Sequence, residues 1–123
     1  MQEFPEDEAT FGIDDQFLLG SAILIKPVTE QGQKSVSVYL PPSSNWYNYE
    51  TFASVAANSD HRIEVDTTSL GTFPVFLRGG SIVPRKDRIR RSSTLTVNDP
   101  YSLYVALDGK VFIFFKFNCI GKC

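Results

Sequence analysis

The feature that most constrains this chain is the run Ala-Ile-Leu-Ile at residues 22–25, inside the stretch FGIDDQFLLGSAILIKPV (residues 11–28). A strand that meets water on one face alternates apolar and polar side chains, and this run does not. An unbroken apolar run of strand length asks for apolar surroundings on both faces, as in a parallel sheet covered by helices. A one-turn helix is expected before it, capped by Asp14 and closed by Gly20 with φ > 0. No later segment carries a long 3.6-residue apolar period, so the chain offers no helix to cover the strand. The expectation is a strand orphaned from a larger α/β body.

The rest reads differently. Residues 35–40 alternate, with Val36, Val38 and Leu40 inward and Tyr39 outward, and stop at Pro41-Pro42. Residues 62–66 alternate with Ile63 and Val65 inward, and residues 102–107 with Leu103, Val105 and Leu107 inward. Residues 73–77 form an apolar segment that Pro74 places at a strand start or an edge. Arg78-Gly79-Gly80 predicts a tight hairpin turn, and residues 81–83 a short strand ended by Pro84. Leu95 and Val97 alternate with Thr94 and Thr96 as a further strand. The first eleven residues, residues 29–34 and residues 52–60 read as loops. Short alternating strands between Gly, Pro, Asn and Asp signals predict a mainly β chain, an antiparallel β-sandwich.

Composition sets limits on function. A chain of 123 residues with 42% hydrophobic and 21% charged side chains can form one domain with a real core. Its net charge is -2, but the charges are segregated. Glu3, Glu6, Asp7, Glu8, Asp14 and Asp15 crowd the start, while Arg85, Lys86, Arg88, Arg90 and Arg91 surround Asp87. The opening Met1-Gln2-Glu3 lacks the basic start and apolar core of a signal peptide, and no apolar run is long enough to span a bilayer. Cys119 and Cys123 make neither a disulfide framework nor a zinc set.

Few residues suggest chemistry. Asp14-Asp15 is an adjacent acid pair, but acid/base work on a glycosidic bond needs carboxylates roughly 5–9.5 Å apart across a substrate. Capping and surface hydrogen bonding suit the pair better. His61 follows Asn58-Ser59-Asp60 and reads as an exposed loop histidine, with no nucleophile elbow nearby. Trp46, Tyr47 and Tyr49 form an aromatic cluster that could contact carbohydrate or plug a core. Arg78-Gly79-Gly80 lacks phosphate-loop spacing. Residues 85–91 read as a mobile, solvated basic loop or as one that pairs with an acidic neighbour, with nucleic-acid binding, or targeting or phosphorylation with Ser92-Ser93, as the functional alternatives.

Taken in order, FGIDDQFLLGSAILIKPV, VYLPPSSNWYNYET, FPVFLRGGSIVPR and RIRRSS resemble glycoside hydrolase family 31, the α-glucosidases, from about residue 4 to residue 108. The resemblance implies a (β/α)8 catalytic barrel followed by β-domains. Residues 1–28 would be the end of the barrel, residues 29–110 the proximal C-terminal β-sandwich, and residues 111–123 a divergent apolar tail. It implies retaining hydrolysis of α-glucosidic bonds. The RRSS string points to the branch that trims glucose from N-linked glycans in the endoplasmic-reticulum lumen. No cofactor, metal, nucleic acid or membrane is implied; the implied partners are the parent's catalytic barrel and a glycan. The family's two catalytic aspartates lie in segments before Met1, so no catalytic residue carries over. The β-domain would brace the barrel, and the chain alone would be inactive. A stand-alone carbohydrate-binding module using Trp46, Tyr47 and Tyr49 is the alternative. The tail VFIFFKFNCIGKC breaks the resemblance; it reads as translation of an unspliced intron, against a genuine strand buried on both faces.

Overall fold

The computed structural model describes residues 3–68 and 74–108. Phe73, the apolar tail and both cysteines lie outside the described residues. The described elements are short strands: β1 (Phe17–Leu19), β2 (Ile23–Ile25), β3 (Ser35–Tyr39), β4 (Trp46–Asn48), β5 (Ser54–Val55), β6 (Arg62–Asp66), β7 (Val75–Arg78), β8 (Ser81–Arg85) and β9 (Ser102–Ala106). Two 3-10 helices, Glu8–Thr10 and Ser93–Thr96, complete them. The chain is mainly β, and every strand pair is antiparallel.

A five-stranded sheet runs in the order β1-β2-β7-β4-β5, beside the two-stranded ribbons β3-β6 and β8-β9. β2, the strand expected to be orphaned, is bonded on both edges: Leu24 pairs with Leu18 on β1 and with Phe76 on β7. Its neighbours are antiparallel strands of this chain, not a parallel barrel. The segment expected to be a helix instead holds β1, and Gly20 at φ +64 turns the chain between β1 and β2. Asp14 caps nothing there. The cap is Asp7, whose Oδ1 accepts from the Ala9 N–H at 3.1 Å.

The core lies between this sheet and the β3-β6 ribbon. Val36 and Val38 face Leu24, Trp46 and Phe76, with Ile63 and Val65 packed alongside. Here the alternation was sound, because one face of the ribbon is buried and the other is wet. Phe4 joins the same cluster, so the acidic lead-in is anchored rather than a free surface loop, and residues from both sides of position 28 share one core. Phe76 is 1% exposed; truncating a ring so buried costs about 3–5 kcal/mol.

Several elements depart from the sequence reading. Tyr39, expected outward, is buried. Its hydroxyl donates to Asp7 at 2.8 Å, and its backbone is held by Gln16. Residues 54–55 pair with β4 as a strand in a region read as loop. β8 runs through Pro84, which a two-stranded ribbon accommodates because one edge needs no N–H. Residues 93–96 form a 3-10 helix, not a strand, closed by Thr96 Oγ1 donating to the Ser93 carbonyl at 2.6 Å. Leu95 and Val97 are exposed. On β9 the expected inward side is only partly kept: Val105 is half-buried and Ala106 buried, while Leu103, and Leu107 just after the strand, are exposed.

Arg78-Gly79-Gly80 makes a corner, although β7 and β8 belong to different sheets rather than one hairpin. Gly80 takes φ +80. A Cβ on Gly79 would lie 3.0 Å from the Leu107 carbonyl and 3.1 Å from that of Asn45. Glycine at both positions lets the β8-β9 ribbon fold back across the sheet.

Candidate functional site

The three aromatics expected to act together are divided by the pleat of β4. Trp46 points into the core, 3% exposed, with its indole N–H donating to the Pro41 carbonyl at 3.0 Å. Tyr47 and Tyr49 are half-buried on the other side. Trp46 therefore plugs the core, and any surface contact falls to the tyrosines.

Around Tyr47 the corner at Gly79-Gly80 creates a groove of about 310 Å³, whose lining includes Tyr47, Phe52, Leu77, Tyr104, Ala106 and Leu107. Tyr47 donates its hydroxyl to the Leu107 carbonyl at 2.7 Å, tying β4 to the end of β9. Phe52 stacks on Tyr104, with centroids 5.0 Å apart and planes 8° from parallel. Behind that pair the Arg85 guanidinium lies over both Tyr104 and Tyr49, at 5.5 and 5.4 Å from the ring centroids. Asp87 joins this cluster outside the groove's lining, accepting from Arg85 Nε at 2.9 Å and from the Tyr104 hydroxyl at 3.3 Å. Phe52 and Tyr104 escaped sequence reasoning because nothing local brings residue 104 beside the β4-β5 turn.

The basic run is not free. Arg90 donates to both carboxylate oxygens of Asp99, at 2.7 and 3.0 Å, and Arg88 lies 3.6 Å from the same group. Lys86 donates to the Thr96 and Val97 carbonyls and sits over the Tyr101 ring. Of the two readings of this run, pairing with an acidic neighbour holds and the solvated loop is corrected: Arg88 and Arg90 are engaged by Asp99, and Lys86 by backbone carbonyls. The sequence hint was Asp99, an acid just before Pro100. Its carboxyl sits below the usual carboxylate range, first because of the hydrogen bonds from Arg90.

The other candidates are structural. Asp15 pairs with Lys26, which is itself nearly buried, while Asp14 is exposed. His61 is half-buried rather than exposed, edge-on to Tyr39 with centroids 6.4 Å apart. Among the described residues no group of three or more His, Cys, Asp and Glu could hold a metal, and no helix is long and apolar enough to cross a membrane.

A second surface comes from the sheet itself. Leu19, Ile23, Leu77 and Tyr47 are successive partners across four strands, and Phe17, Ile25 and Val75 form the next row. Both rows point away from the core. The β8-β9 ribbon covers only the Leu77 and Tyr47 end. At the other end Phe17 is 52% and Leu19 60% exposed. The unbroken run in β2 is apolar on both faces, and the described residues bury the Leu24 face while leaving Ile23 and Ile25 half-buried on the other.

The chain is similar to known proteins over most of its length. The family model described as the glycosyl hydrolase family 31 C-terminal domain matches residues 1–83. A rice protein (Oryza sativa subsp. japonica) named "Probable glucan 1,3-alpha-glucosidase" is 46% identical over 106 residues, 86% of this chain and 11% of that protein. Human neutral alpha-glucosidase AB is 43% identical over 106 residues, 85% of this chain and 11% of that protein. A crystal structure of glucosidase II alpha subunit superposes with a TM-score of 0.78 at 39% identity, over 85% of this chain and 11% of that one. The chain thus spans about a ninth of the length of the relatives it matches. By profile, sequence and fold, the chain belongs to glycosyl hydrolase family 31, in which it corresponds to the C-terminal domain.

Proposed function

We propose that this chain serves as part of an α-glucosidase, its β-domain bracing the catalytic barrel of the parent enzyme. The supporting observation is the outer face of the five-stranded sheet, where Phe17, Leu19, Ile23, Ile25 and Val75 form an apolar surface that the described residues leave partly open. Apolar patches rimmed by polar residues mark packing surfaces. The relatives supply what would cover it, since this chain matches only 11% of their length. On this reading residues 1–28 are the portion next to the barrel, and residues 29–110 the remainder of the β-domain.

The same reading gives the parent reaction as hydrolysis of O-glycosyl bonds. Similarity to glucosidase II alpha subunit and to neutral alpha-glucosidase AB supports glucose trimming of N-linked glycans in the endoplasmic-reticulum lumen. The chain's part is mechanical. It brings no residue matching the family's nucleophile or acid/base aspartate, so alone it is inactive.

A chimera tests this. Residues 1–108 replace the matching stretch of human neutral alpha-glucosidase AB, and turnover of a chromogenic α-glucoside is measured. The reading expects an active chimera and no turnover by the purified chain above a matched blank. Repurification-resistant activity of the chain alone, or a folded but inactive chimera, would refute it.

A further inference from the structure

We propose that the Arg91–Ser92 peptide bond is a latent processing site, cut by a serine endoprotease that reads paired arginines and held shut by Asp99. The tetrad Arg88-Ile89-Arg90-Arg91 sets arginine at the first, second and fourth positions before this bond, and a small serine follows it. Acidic pockets in a protease of that class take up those three guanidinium groups. The backbone suits the cut as well. Residues 86–92 form neither helix nor strand, residues 87–95 are exposed throughout, and Ile89 is fully open to water. Ser92 is extended, at φ -148 and ψ 157, and its side chain makes no capping bond to the 3-10 helix it precedes. Exposed loops of this kind are where chains are nicked. The chemistry is hydrolysis: the enzyme's serine takes the Arg91 acyl group, the C–N bond breaks as the Ser92 nitrogen gains a proton, and water then releases the Arg91 carboxylate.

What makes the site latent is the clasp. Arg91 pairs with nothing among the described residues, but Arg90 is forked onto Asp99 and Arg88 lies 3.6 Å from the same carboxylate. A protease must take both from Asp99 before the loop fits its cleft, so the rate of cutting follows the population in which the clasp is open. The other basic pair, Arg85-Lys86, is an internal control. Arg85 ends β8 and lies over two tyrosine rings, Lys86 donates to two carbonyls, and Val83 stands where a fourth-position arginine would be. That pair should survive. The cut would not release a fragment, because β8 and β9 remain paired from Ser81–Ala106 to Arg85–Ser102 across it. Arg90 and Asp99 also lie on opposite sides of the nick and hold it together.

The test incubates the whole chain with a purified serine endoprotease specific for paired basic residues and follows the products by intact-mass spectrometry. A synthetic peptide of residues 86–95, which has no Asp99, gives the unrestrained rate. One cut, between Arg91 and Ser92, is expected, with kcat/KM roughly a tenth of the peptide's or less. Asp99→Asn should raise the rate roughly tenfold, towards that of the peptide. Arg90→Lys, which keeps a base at the second position but loses the forked bond, should also be cut faster. Arg91→Gln should abolish the cut. Emission from Trp46, buried in the core, reports whether each variant is folded. No cut in the parent chain, a first cut after Lys86, a parent rate equal to the peptide's, or folded clasp variants cut no faster than the parent would each overturn the proposal.

Discussion

Gln16 holds Tyr39 the way a neighbouring strand would. Its Nε2 donates to the Tyr39 carbonyl at 2.9 Å, and its Oε1 accepts from the Tyr39 N–H at 3.0 Å. One side-chain amide thus completes the free edge of β3 where β6 lies on the other side. Gln16→Glu keeps the shape but sets a carboxylate oxygen against the Tyr39 carbonyl. Leaving that partly buried acceptor without its donor should cost about 1–3 kcal/mol. Urea unfolding should show a lower midpoint at unchanged slope.

Tyr39 itself offers a titration. Burial first, then the hydrogen bond and charge of Asp7, push its phenol up from 10.0 to about 12. A raised folded value means that this contribution to stability is complete below pH 10 and lost as pH rises through about 12. Absorbance at the phenolate band should therefore show one tyrosine lagging near 12 while the chain stays folded. Tyr39→Phe should remove that late phase.

The ion-paired loop predicts an acid effect of the opposite sign. Asp99 is 5% exposed at its side chain and held below its ordinary 3.8, chiefly by Arg90. A depressed carboxylate stabilises above the unfolded value and loses that contribution as pH falls through the folded one. Hydrogen exchange across residues 86–99 should be slow near neutrality and accelerate below about pH 3.8 beyond the intrinsic trend. Asp99→Asn should show the fast pattern at neutral pH. An unchanged exchange pattern in that variant would count against the clasp.

How legible the fold was depends on where each strand finds its partners. β3 and β6 stood out because Val36, Val38, Ile63 and Val65 meet one wet face and one buried face. β2 signalled burial on both faces, and the structure buries Leu24 while leaving Ile23 and Ile25 half-buried. Its neighbours were misjudged because β7 lies far along the chain and no local pattern announces Leu24 opposite Phe76. The Thr-Leu-Thr-Val alternation imitated a strand, but a hydroxyl bond from Thr96 to Ser93 closes a 3-10 turn instead. Tyr47 in the groove and Tyr49 beside Arg85 could be picked out by type. Phe52 and Tyr104 could not, since their contact depends on the Gly79-Gly80 corner swinging β9 over β4.

The uncovered sheet face should also show in solution. With Phe17 and Leu19 open to water beside an edge of β1 that no described strand pairs, the isolated chain should associate as its concentration rises. Light scattering should detect this, and Leu19→Lys should suppress it without lowering the melting midpoint. A monodisperse chain at all concentrations would argue that the face needs no cover.

The central claim is that this same face packs on the rest of an α-glucosidase. Leu19→Lys should therefore have opposite consequences in two settings. In the isolated chain it should be neutral or improve solubility, because Leu19 is 60% exposed. In the human chimera it should bury an unpaired charge and cut the yield of active enzyme by roughly tenfold or more. Leu95→Lys, at an exposed leucine away from the sheet, should leave the chimera active. Measuring the specific α-glucosidase activity of the two chimera variants side by side decides the matter. Selective loss with Leu19→Lys is the predicted result, and equal activity in both would contradict it.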